Sequence, residues 1–258
     1  MHYISTGQGS SVILIHGLFG NSDNLKTLAR SLEANHRVIR VDVPNHGLSE
    51  HWESMDYPSL AQAVIELMDS LSISKAHLVG HSMGGKIAMA AALNYPERIQ
   101  SLIAADIAPV SYQSRHDVVF AALDSIELSQ VQNRAQALSQ LLHAGIDEGT
   151  AQFLLKNLSK SDAGFTWKMN LTGLKKCYPH LIGWYNDKVI PLQYTGASLF
   201  IRGGESDYVT SEHRQAILTQ FPHVQAKTIE GTGHWLHAQK PTVFNRIVGD
   251  FIAMNEWN

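Results

Sequence analysis

Short apolar runs rich in β-branched residues alternate along the chain with longer stretches of helical periodicity. The runs fall at residues 12–15, 37–41, 76–79, 102–105, 198–201 and 227–229. They are continuous rather than alternating, which is the mark of strands covered on both sides. Between them, residues 25–33, 59–70, 84–94, 213–219 and 243–253 repeat apolar positions at helical spacing. Strands alternating with helices imply right-handed crossovers and a mainly parallel central sheet flanked by helices.

One interval departs from this rhythm. Residues 108–196 have little strand character, and 118–123, 135–142 and 151–158 read as helices. A structureless connection of that length is out of place in a compact domain. The segment therefore reads as a helical insertion, a lid over the functional edge of the sheet. The expected layout is a core at 1–107 and 197–258, interrupted by a lid at 108–196.

Composition narrows the function classes. A net charge of −3 leaves no electrostatic footprint for nucleic acid. The single cysteine, Cys177, excludes an intrachain disulfide framework and suits a reducing compartment. No basic residue precedes the first apolar run, so no secretory signal is expected. The run at 87–93 is far short of the ~20 residues of a membrane span. The expectation is a soluble, cytoplasmic protein acting on a small molecule. Its oligomeric state is not legible. Fourteen histidines raise the question of metal or proton chemistry.

Residues 76–79 run straight into Gly80-His81-Ser82-Met83-Gly84-Gly85, and a helical pattern follows. This is G-x-S-x-G in a strand–turn–helix setting, where a sharp turn holds the serine hydroxyl clear of the sheet. The helix N-terminus beyond it offers N–H groups and partial positive charge to an oxyanion. The three residues alone would match about 0.1 times by chance in such a chain. The setting, not the motif, makes Ser82 the candidate nucleophile.

A serine hydroxyl needs a base. Among the histidines, His234 in Gly231-Thr232-Gly233-His234 follows the last predicted strand on a glycine-rich loop. The chain order Ser…Asp…His suits it. Two acids compete to orient it: Asp207 after the 198–201 strand, and Asp106 at the end of the preceding one. Spacing leaves both open. The oxyanion hole calls for two N–H donors, assigned to Met83 and to Leu18 in His16-Gly17-Leu18-Phe19-Gly20. Phe19 is expected to wall the pocket beside His81, with Tyr112, Trp184 and Tyr208 as further candidate lining. His16 and His81 read as neighbours of these turns rather than catalysts. Lys86 and Arg115 read as solvated surface charge.

Taken together, His16–Gly20, Asn45-His46-Gly47-Leu48-Ser49, Gly80–Lys86, Asp106-Ile107-Ala108-Pro109-Val110 and Gly233–Ala238 resemble the YbfF-type bacterial esterases. These are α/β-hydrolases related to the mitochondrial ABHD-type hydrolases. The resemblance spans nearly the whole chain and implies a carboxylesterase or acyl-thioesterase with a small helical lid; neither an H-x-H-x-D nor an H-E-x-x-H cluster appears, so no metal or other cofactor is expected. It carries the acid role to Asp106 and makes Asp207 a departure from the family pattern. The 42–49 loop is similar to a D-x-P-G-H-G-x-S loop, with Asn45 in the glycine position, where asparagine tolerates a left-handed backbone. A histidine base of ordinary pKa near 6.5 predicts activity rising through pH ~6–7. The rival reading is a catalytically silent receptor on the same fold.

Overall fold

The computed structural model describes residues 1–162, 164–186 and 190–256. Its strands are β1 (Tyr3–Thr6), β2 (Ser10–Ile15), β3 (His36–Val41), β4 (Ala76–His81), β5 (Ile99–Ala105), β6 (Leu158–Ser161), β7 (Gly164–Trp167), β8 (Ser198–Gly203) and β9 (Val224–Ile229). Seven of them form one sheet in the order β1-β3-β2-β4-β5-β8-β9, and β6 pairs with β7 alone. Within the large sheet every pairing is parallel except that of β1 with β3. Each predicted run lies in this sheet, which is the α/β architecture expected.

The sheet is covered on both faces, so alternate side chains feed two cores. Val12, Leu14, Val38, Val79, Ile103 and Ile201 join one cluster with residues of α1 (Lys26–Leu32). Ile13, Ile15, Ile39, Leu78, Leu102 and Phe200 join the other, with α2 (Tyr57–Ser70) and α3 (Met83–Asn94). Helix α2 starts where Asp56 accepts the Ser59 N–H at 2.8 Å, satisfying one of the first-turn donors. Helix α3 packs between β4, β5 and α2, so Met83 through Leu93 are all buried and the helix has no polar face.

The segment between β5 and β8 holds α4 (Asp117–Asp124), α5 (Arg134–His143), α6 (Glu148–Leu154), the β6–β7 hairpin and α7 (Leu171–Ile182). The helix expected at 151–158 begins earlier and ends at Leu154; one tight turn follows, and Leu158 already belongs to β6. The hairpin and α7 were not expected. Helix α7 contains Pro179, and its single thiol, Cys177, is buried against the Glu53 carbonyl at 3.7 Å. Phe120, Leu123, Leu174, Tyr178 and Leu181 of this segment share one buried cluster with α2 and α3. The chain then closes with α8 (Arg214–Gln220), α9 (Leu236–Gln239) and α10 (Pro241–Met254). Phe244, Val248 and Phe251 of α10 complete the α1 side of the core.

Strand order reverses at one point: from β2 the chain moves to β3 on one side, then returns to β4 on the other. The carboxyl ends of β2 and β4 therefore frame a crevice from which successive connections turn away. The loop after β2 and the serine turn after β4 meet there. Among the described residues, no helix is long and apolar enough to cross a membrane.

Candidate active site

Ser82 follows β4 directly, with φ 54° and ψ −122°, a backbone conformation that L-residues seldom adopt and that marks a strained turn. The two flanking glycines make it possible. A Cβ on Gly80 would stand 2.1 Å from the Gly84 carbonyl oxygen, and one on Gly84 would stand 2.2 Å from that of Ile15. Backbone thus packs on backbone around the serine.

The serine hydroxyl lies 2.9 Å from His234 Nε2, and His234 Nδ1 lies 2.7 Å from Asp106 Oδ2. A carboxylate only accepts, so Nδ1 carries the proton and Nε2 is left to accept from Ser82. Asp106 is fully buried, at φ 51°, just past β5. Its Oδ1 takes the Gly203 N–H at 2.9 Å, and its Oδ2 also accepts the Ser206 hydroxyl. Sequence reasoning missed Ser206, because an isolated loop serine carries no signal of its own. The two acids that spacing left open are separated by the fold. Asp207 is not brought to the histidine: its side chain is 75% exposed and pairs with Arg115 at 2.7 Å. Adjacent loop residues point opposite ways, so Ser206 faces inward to Asp106 while Asp207 faces out.

The loop after β2 is held by two buried histidines. His16 donates from Nδ1 to the Gly17 carbonyl at 2.8 Å and accepts the Val43 N–H on Nε2 at 3.0 Å. His46 donates from Nδ1 to the Pro44 carbonyl and accepts the Phe19 N–H on Nε2 at 3.2 Å. Each ring needs one bare nitrogen for this, and burial favours that neutral form, lowering the pKa of His16 and bringing that of His46 down to about 3. Phe19 sits at φ 61° and Asn45 at φ 66°, the left-handed conformation expected of Asn45. Met83 is the first residue of α3, where a backbone N–H has no partner within the helix. Leu18 and Met83 face the same cavity as Ser82.

Two cavities flank the serine. One, of about 30 Å³, is lined by Leu18, Met83, Lys86, Tyr112, Arg115 and Tyr208 among others. The second, of about 50 Å³, is lined by Phe19, His81, His116, Phe153, His234 and Trp235 among others. His81 donates from Nε2 to the His234 carbonyl at 2.8 Å, tying the histidine loop to the serine turn. Trp184 lines neither cavity; its indole N–H is bound to Gln220 at 2.9 Å and its ring packs on Tyr57. Lys86 is not surface charge. Only 1% exposed, it donates to the Ile182 and Gly183 carbonyls at 3.1 and 2.7 Å, and burial brings its pKa down to about 7. Among the described residues, no group of three His, Cys, Asp or Glu side chains is arranged to hold a metal ion.

A family model described as an alpha/beta hydrolase fold matches residues 10–241. The chain is 42% identical over 244 residues to the esterase YbfF of Escherichia coli (strain K12), across 94% of this chain and 93% of that protein. It is 36% identical over 256 residues to the sn-1-specific diacylglycerol lipase ABHD11 of Mus musculus, across 94% of this chain and 81% of that one. The solved structure of a marine microorganism esterase superposes with a TM-score of 0.93 at 33% identity, covering 97% of this chain and 98% of that one. The chain belongs to the α/β-hydrolase family. Within it, the chain groups with the YbfF-type esterases, and its class of activity is that of a hydrolase.

Proposed function

We propose that the protein cleaves carboxylic esters or acyl thioesters through an acyl-enzyme intermediate on Ser82. The observation that carries this reading is the unbroken hydrogen-bonded line Ser82–His234–Asp106, at 2.9 and 2.7 Å. Ser82 Oγ attacks the carbonyl carbon as its proton passes to His234 Nε2. The buried Asp106 carboxylate stabilises the imidazolium and keeps the proton on Nδ1. The N–H groups of Leu18 and Met83 receive the oxyanion. Collapse of the tetrahedral intermediate expels the alcohol or thiol, which takes the proton from His234. Water, activated by the same histidine, then releases the acid and restores the serine.

The two cavities suit the two ends of such a substrate, acyl group on one side and leaving group on the other. At about 30 and 50 Å³ each holds only a few waters, so an acyl chain enters only when the insertion moves aside as a lid. A fluorophosphonate probe tests the reading. Ser82 labels in the wild type, and Ser82→Ala abolishes both labelling and hydrolysis of p-nitrophenyl esters. Retained esterase activity in Ser82→Ala overturns it. Kinetics on p-nitrophenyl esters and acyl-CoAs of graded chain length then decide between ester and thioester.

A further inference from the structure

Two hydrogen bonds at opposite nitrogens define an axis through an imidazole but leave the ring free to turn about it. A face contact is needed to stop that rotation, and His234 has one of unusual closeness. The Tyr208 ring lies on it with centroids 3.7 Å apart and planes 16° from parallel. Of the remaining aromatic neighbours, His81 at 4.8 Å is tilted and Trp235 at 5.8 Å is edge-on. Tyr208 is itself pinned. Its N–H donates to Ser206 Oγ at 3.2 Å, and its carbonyl accepts the Tyr112 hydroxyl at 2.7 Å. On its far face stands the Arg115 guanidinium, 4.2 Å from the ring centroid and anchored by Asp207.

We propose that Tyr208 is a positioning residue for His234, and that Arg115 is the clamp through which the insertion reaches it. The proposal rests on His234 being the base. The electron-rich face of the phenol favours the imidazolium formed when Ser82 gives up its proton. Arg115 packs on the opposite face and holds the ring in place. The other charged and titratable groups around the histidine are Asp106 on Nδ1, the buried rings of His81 and His237, and His116 of the insertion. Arg115 is the permanently cationic member of the set. The Asp207 carboxylate, turned away from the histidine, serves this arrangement by holding the guanidinium over the ring.

The test is steady-state kinetics on a p-nitrophenyl ester. Tyr208→Leu lowers kcat about 10- to 100-fold with KM little changed, the cost of a loosened catalytic group. Tyr208→Phe, which keeps the stacked ring, restores most of that loss. Arg115→Gln, which takes the clamp off the far face of the ring, lowers kcat about 3- to 10-fold with KM little changed. Three results overturn the proposal: wild-type kcat in Tyr208→Leu, a change confined to KM, or Tyr208→Phe as impaired as Tyr208→Leu. Should Tyr208→Leu fail to fold, wild-type kcat in Arg115→Gln overturns it instead. Ser82→Ala, assayed alongside, keeps the two readings apart. Its inactivity with an unaffected Tyr208→Leu sinks only the positioning role, whereas its activity sinks the nucleophile.

Discussion

His46 holds the backbone of Phe19: its Nε2 accepts the Phe19 N–H at 3.2 Å across 27 residues of chain, inside a fully buried pocket. Protonating that nitrogen destroys the bond and places a charge in the core. Burial is the leading cause of a lowered pKa at seven histidines among the described residues, and it brings His46 and His237 to about 3 and His77 and His116 to about 4. Unfolded, each takes up its proton near pH 6.5. Their stability contribution is thus complete above that pH and is lost as pH falls towards the folded values, by about 1.4 kcal/mol per pH unit and group. The melting temperature is expected to drop steeply between pH 6.5 and 4, and less steeply in His46→Gln. Parallel curves for the two proteins refute the role given to His46.

Asp106 and Asp207 separate cleanly by substitution. In Asp106→Asn the amide can present a donor to His234, favouring the wrong tautomer, and kcat falls on the order of 10⁴-fold. Asp207→Asn leaves the acid in place and costs less than about 10-fold. Equal small losses would sink the assignment of Asp106.

Gly84→Ala tests how tightly the serine turn is built. The new methyl would press on the Ile15 carbonyl at 2.2 Å, and neither strand nor helix is flexible there. Overpacking of this kind costs about 3 kcal/mol, and the shift separates Ser82 from the β2 loop. Denaturant unfolding reads the first effect and fluorophosphonate labelling the second.

The buried Lys86 gives stability an alkaline slope. Its folded pKa of about 7 lies below the ordinary lysine value of 10.5, so between those values the unfolded chain binds the extra proton and stability rises with pH. Lys86→Met lacks this proton and the rise with it. The difference in melting temperature, wild type minus variant, is expected to grow from pH 7 to pH 10. A constant difference means that the ammonium is charged throughout.

The central strands were legible because burial on both faces demands unbroken apolar runs. Strand β1 (Tyr3–Thr6), half-exposed along its length at one sheet edge, does not carry that pattern; of β9 at the other edge only 227–229 is legible, and Gln225 to Thr228 are exposed rather than covered on both sides. Helix α7 was hidden by Pro179 although Leu174, Cys177, Tyr178 and Leu181 repeat at helical spacing. At the site, Ser82 and His234 stand on local glycine-rich signatures. The choice of acid depends instead on which way a side chain leaves a loop, and that is set by the 51° φ at Asp106 and its bond to Gly203. Lys86 looked like surface because lysine usually is; only the packing of α3 on two sides reveals otherwise.

Cys177 gives the proposed lid its own timekeeper. The thiol is the only one in the chain and lies buried in α7 against the Glu53 carbonyl, on the segment proposed to move aside as a lid. On that reading a lifted α7 exposes the thiol to a small alkylating reagent, and a loss of free thiol faster than global unfolding allows counts those openings without any engineered label.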